Sequence, residues 1–154
     1  MLMNQAIQTL LVATGLATAL ACSGGGGGGG ASGTPAGQSC AAATQCYAGL
    51  DAAALHGQVT CLSQLQNGYC THACQTDADC CAVAGECEGV QEVCAPLQSA
   101  SGTYCLVSCS SAAIAAFPNA GTTDPTTYCQ RWANASFTCR STGGGHDNMM
   151  FCGP

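Results

Sequence analysis

The stretch Cys70-Thr-His-Ala-Cys74-Gln-Thr-Asp-Ala-Asp-Cys80-Cys81-Ala-Val-Ala-Gly-Glu-Cys87, running on to Cys94, places six cysteines in 25 residues. Cys80 and Cys81 are adjacent. A bond between neighbours closes a strained eight-membered ring, so the two side chains leave in different directions and tie two parts of the chain to one point. The chain has 15 cysteines in 154 residues, the composition of a disulfide scaffold. From Cys22 onward it carries six Leu, one Ile, five Val and three Phe. So few large apolar residues cannot build one tight core, and disulfides must supply much of the order.

Working outward, a partial repeat appears. Gly68-Tyr69-Cys70-x3-Cys74 returns as Gly102-Thr103-Tyr104-Cys105-x3-Cys109. A Cys-x3-Cys pair puts both sulfurs on one side of a helical turn or across a loop. Two related modules, 40–96 and 97–154, are one expectation; one intertwined domain over 40–154 is the other. The candidate disulfide cysteines are Cys40, Cys46, Cys61, Cys70, Cys74, Cys80, Cys81, Cys87, Cys94, Cys105, Cys109, Cys129, Cys139 and Cys152. Fourteen cysteines allow roughly 135,000 full pairings.

The adjacent pair and its spacing resemble inhibitor-knot miniproteins. Cys74-Gln-Thr-Asp77-Ala-Asp79-Cys80-Cys81 also resembles segments of Dickkopf-type cysteine-rich domains. Each resemblance covers about 25 residues. The knot resemblance implies the pairing Cys70–Cys81, Cys74–Cys87 and Cys80–Cys94.

Local signals place few regular elements. The Ala-rich runs at 40–46 and 51–55 favour short helices. Val59 to Leu65 reads as a strand or a helical turn. Ser110 to Phe117 reads as a helix stopped by Pro118. Asp124-Pro125 is a helix start, with a capping carboxylate and a proline at the first helical position. That helix, to about Ala133, carries Tyr128, Cys129 and Trp132 on one face suited to a small core. The expected fold is small, disulfide-rich and irregular, with short helices and little sheet, behind a disordered Gly-rich N-terminal tether.

Residues 1–21 read as a signal peptide, with an apolar centre from Ala6 to Ala21 that is too short and too polar for a membrane span. No Lys or Arg precedes that centre. Ala19-Leu20-Ala21 fits an ordinary signal peptidase site, which releases a soluble secreted chain. Thr18-Ala19-Leu20-Ala21-Cys22 also resembles the lipobox of bacterial lipoproteins, with Leu at the second position before the cysteine instead of the usual third. That resemblance, over residues 1 to about 30, implies lipidation of Cys22, a membrane held through the lipid anchor, and a place in the cell envelope. Ser23 then points to the outer membrane. Cysteine parity agrees: consuming Cys22 leaves fourteen that can all pair. Residues 22–39, with Gly24 to Gly30, read as a flexible linker of roughly 20–25 Å span.

Charge and motifs narrow the chemistry. Two basic residues, Arg131 and Arg140, face eight acids for a net charge of -6. Phosphate recognition needs clustered cations, so nucleic acid is excluded as a partner. Asp77, Asp79, Glu86, Glu88 and Glu92 cluster within 16 residues. They read as a solvated acidic face with an Asx-type turn before Cys80, or as a binding face for a basic partner or calcium. Cys70/Cys74 and Cys105/Cys109 match zinc spacing, but zinc needs reduced thiolates and the export signal argues against them. Neither a Cys-x2-Cys redox motif nor a nucleophile elbow nor a phosphate loop occurs. His56, His72 and His146 are isolated, His146 beside Met149 and Met150. Asn134-Ala-Ser136 matches a glycosylation sequon. The chain therefore reads as a non-enzyme without metal or cofactor. Its expected role is structural or binding, with a protein partner left open. The alternative is a secreted knottin-like or Dickkopf-like binding module, an inhibitor or ligand.

Overall fold

The computed structural model describes residues 36–87, 90–143 and 148–154. The leader, Cys22 and most of the linker lie outside them, as do Glu88 and His146. The described residues form six strands, in three separate two-stranded antiparallel sheets, and two helices. β1 (Val59–Cys61) pairs with β2 (Cys70–His72), β3 (Glu92–Pro96) with β4 (Thr103–Val107), and β5 (Thr138–Ser141) with β6 (Met150–Gly153). The helices are α1 (Ser111–Ala116) and α2 (Pro125–Trp132). The fold is small, disulfide-rich and irregular.

An isolated two-stranded hairpin is marginal in water. Here each is clamped by two disulfides laid out in the same way. A cysteine of the first strand faces a cysteine of the second: Cys61 opposite Cys70, Cys94 opposite Cys105, Cys139 opposite Cys152. Opposed residues share one face of the sheet, yet these pairs do not bond each other. The first-strand cysteine reaches back to form Cys40–Cys61, Cys74–Cys94 or Cys109–Cys139, with Cα separations of 6.0, 5.8 and 5.8 Å. The second-strand cysteine forms Cys46–Cys70, Cys80–Cys105 or Cys129–Cys152, at 5.2, 5.3 and 5.2 Å. A helical element begins between the two upstream cysteines each time: a 3-10 turn at Ala43–Gln45, another at Asp77–Asp79, and in the third case α1 and α2.

The chain is thus three successive copies of one disulfide plan, over 40–70, 74–105 and 109–152. The two Cys-x3-Cys motifs are the junctions, where the last cysteine of one segment precedes the first of the next. Position 96/97, a module boundary suggested by the sequence, falls between β3 and its partner β4 and is bridged by Cys80–Cys105. The seventh disulfide, Cys81–Cys87, is an addition within the second segment. The knot pairing is corrected throughout: Cys70 bonds Cys46, Cys74 bonds Cys94, Cys80 bonds Cys105 and Cys81 bonds Cys87. The adjacent sulfurs do diverge, Cys80 into the interior and Cys81 into a local ring.

The helix starts follow the local chemistry. Ser110 accepts the Ala113 N–H at 3.1 Å, and Asp124 Oδ1 accepts the Thr127 N–H at 2.7 Å. The Ala-rich runs near the start do not form α-helices; only the 3-10 turn Ala43–Gln45 appears. Two disulfides and the packing of Tyr47 against β2 override Ala propensity there.

The main core gathers Leu62, Leu65, Tyr69, Leu106, Phe117 and Phe137 from all three segments. Tyr69 stacks on Phe137 with ring centroids 5.5 Å apart. Tyr128 and Cys129 are buried, and Trp132 packs edge-on against Phe117 at 4.8 Å. Sulfur fills a second core, where Cys74, Cys80, Cys94 and Cys105 meet.

Candidate functional site

The first and second segments meet over a buried polar cluster. His72 ends β2 and is fully buried. Gly57 makes that possible: a Cβ there would stand 1.7 Å from the Ala73 carbonyl oxygen and 3.2 Å from His72 Nδ1. The loop between Cys81 and Cys87 delivers Glu86, also fully buried. Its Oε1 lies 2.6 Å from His72 Nε2, and its Oε2 accepts the Val83 N–H at 2.9 Å. His72 Nδ1 lies 2.9 Å from the Ala73 carbonyl oxygen. Both ring nitrogens therefore face oxygens, a pattern satisfied by a doubly protonated ring against a carboxylate. The Tyr47 ring meets the imidazole edge-on at 5.6 Å.

Glu92 opens β3 and is 5% exposed, with neither carboxylate oxygen paired. Burial, and then the nearby Glu86, push its carboxyl well above the usual range, so that it holds its proton. The Tyr47 hydroxyl is likewise buried without a partner, and burial pushes that phenol up.

Ligand atoms of His72, Glu92 and Cys105 lie within 4.8 Å of one another. Cys105 is committed to Cys80, and both His72 nitrogens are engaged. As folded, these residues do not fit a metal. The remaining close donor triads among the described residues consist of disulfide cysteines, and the sulfurs proposed for zinc spacing are among them. The cluster is sealed from solvent and cannot touch a substrate. What it can do is join two segments and hold a proton.

The five acids do not share one face, which corrects the expected acidic surface. Glu86 and Glu92 are interior. Asp77 is exposed, and its Oδ1 accepts the Cys94 N–H at 2.8 Å. Asp79 Oδ2 accepts the Gln75 and Thr76 N–H groups at 2.9 and 2.8 Å, which holds its carboxyl below the usual value. These two acids build the turn before Cys80. Glu88 lies outside the described residues. One signal in the sequence pointed inward for Glu92: it stands two residues before Cys94, on the same face of a strand.

No family model, curated protein or solved structure matches the chain.

Two smaller motifs find local roles. Asn134 of the sequon is buried; its Nδ2 donates to the Gln66 carbonyl at 2.7 Å and its Oδ1 accepts from Ser136. That side chain ties the third segment to the first hairpin. His56 is exposed, with Nδ1 3.5 Å from Asp79 Oδ1. No helix among the described residues is long and apolar enough to cross a membrane.

Proposed function

We propose that this chain is a lipid-anchored, cysteine-rich protein of a bacterial envelope, with a structural or binding role and no catalysis. One observation carries the anchor. The fourteen cysteines from Cys40 to Cys152 bond each other in seven pairs. Cys22, the fifteenth, has no intramolecular partner left, and it stands where lipidation would consume it. Three acyl chains give firm anchoring where one is marginal. The net charge of -6 keeps the folded part off anionic headgroups. A frame held at seven points presents its loops rigidly, which suits binding: little ordering entropy is lost on contact.

The test is intact mass and free-thiol count on protein from the membrane fraction of the producing cell. Expected is a chain starting at Cys22, heavier by its acyl groups, with no free thiol; Cys22→Ala should move it out of the membrane fraction. A soluble, unacylated chain with one free thiol replaces this reading with a secreted binding module.

A further inference from the structure

The seventh disulfide stands apart from the other six. Cys81–Cys87 has no counterpart in the first or third segment. It joins residues six apart, where the others span 20 to 30. Cys81 is also the exposed cysteine; every other one among the described residues is buried or half-buried. Thiol–disulfide exchange requires a thiolate to reach a sulfur, so access decides which bond reacts.

We infer that Cys81–Cys87 is a thiol-exchange site, opened by a dithiol reductant while the six repeated disulfides stay closed. A thiolate of the reductant attacks Cys81 Sγ. The Cys81–Cys87 bond breaks, and its electron pair leaves on Cys87 Sγ, which takes up a proton. The reductant's second thiol then attacks the mixed disulfide at Cys81, releasing Cys81 as a thiol and the reductant as a disulfide. Two electrons and two protons pass from the dithiol to the cysteine pair. Cys87 Sγ already lies 2.9 Å from the Cys80 carbonyl oxygen, so the thiol formed there finds an acceptor in place.

The bond sits over the buried cluster. Glu86 immediately precedes Cys87, and the ring is the covalent part of what keeps this carboxylate on His72. With the ring open, only the 2.6 Å contact holds Glu86 inside. Loop 82–86 then opens more often, and water gains access to His72 and Glu92. The pair acts as a redox latch on the seam between the first two segments.

The experiment uses the full chain, treated with stepwise dithiothreitol under native conditions, alkylated and mapped by mass spectrometry. Cys81 and Cys87 are expected to be labelled together, at least tenfold faster than any other pair. Simultaneous or earlier opening of another disulfide overturns the site. Hydrogen exchange at the Val83 amide, which Glu86 holds, should rise at least tenfold in the selectively reduced protein; unchanged exchange there overturns the latch. The Cys81→Ser/Cys87→Ser variant should lose the fast phase and keep six disulfides. If that variant does not fold, the order of labelling in the unaltered chain still decides.

Discussion

His72 Nε2 lies 2.6 Å from Glu86 Oε1, with both side chains shut off from solvent. The contact joins the strand that closes the first disulfide segment to a loop of the second. A buried pair adds little over a well-packed apolar one, but deleting one partner strands the other. Glu86→Ala is expected to lower unfolding stability by about 3–5 kcal/mol. Urea denaturation measures it, and a loss below about 1 kcal/mol would mean the imidazole is solvated after all.

Stability should fall on both sides of a narrow pH range. Glu92 has its carboxyl raised above the ordinary 4.5. Its contribution is complete below that value and is lost as pH rises from 4.5 toward the folded value, because the unfolded chain ionises first. Asp79 and Asp124 have theirs lowered from 3.8, Asp79 by backbone N–H groups and Asp124 by Thr127. Their contributions are present above 3.8 and are lost as pH falls through their folded values. Melting temperatures from pH 4.5 to about pH 8 should decline for the native chain and stay flatter for Glu92→Gln. Equal slopes would remove Glu92 as the cause.

Gly57 is predicted to tolerate no side chain. Its Cβ would meet the backbone of Ala73, which cannot swing aside as a flexible side chain would. Gly57→Ala should cost about 1–3 kcal/mol through overpacking and should disturb the His72 ring. Thermal melts test the first effect; the imidazole resonances test the second. An unchanged melt would show that β2 shifts freely.

The disulfides should differ in worth. In the chain-entropy view, bridging 24 residues at Cys46–Cys70 contributes about 3.5 kcal/mol, and bridging six at Cys81–Cys87 about 2.2 kcal/mol. Paired Cys→Ser variants, compared by urea unfolding, should rank in that order. The gap should widen because Cys70 is fully buried and its serine would lack a partner. The reverse ranking would mean that the small ring orders more of the fold than its own loop.

The features legible in the sequence were short-range. Ser110 and Asp124 cap helices within three residues of themselves, and Pro118 and Pro125 bound those helices. The exclusion of a large apolar core, the disulfide framework and the small irregular fold came from counting residues. The divergence of Cys80 and Cys81 came from ring strain alone. Glu86 was read with the exposed acids because its neighbours in sequence are polar. Only the ring at Cys81–Cys87 turns it toward His72, fourteen residues upstream.

The sequence by itself determined that disulfides would carry the fold and where its helices start, since both depend on composition and on contacts a few residues long. Tertiary structure decided which cysteines bond. Each partner is selected by a hairpin register that sets Cys61 against Cys70, Cys94 against Cys105 and Cys139 against Cys152. Once those sulfurs share a face, each can reach only the upstream cysteine that packing brings beneath it. The threefold plan is hidden in the spacing because the upstream cysteines are 6, 6 and 20 residues apart. The third segment fills that interval with two helices where the others hold a single turn, and the hairpin above is clamped all the same.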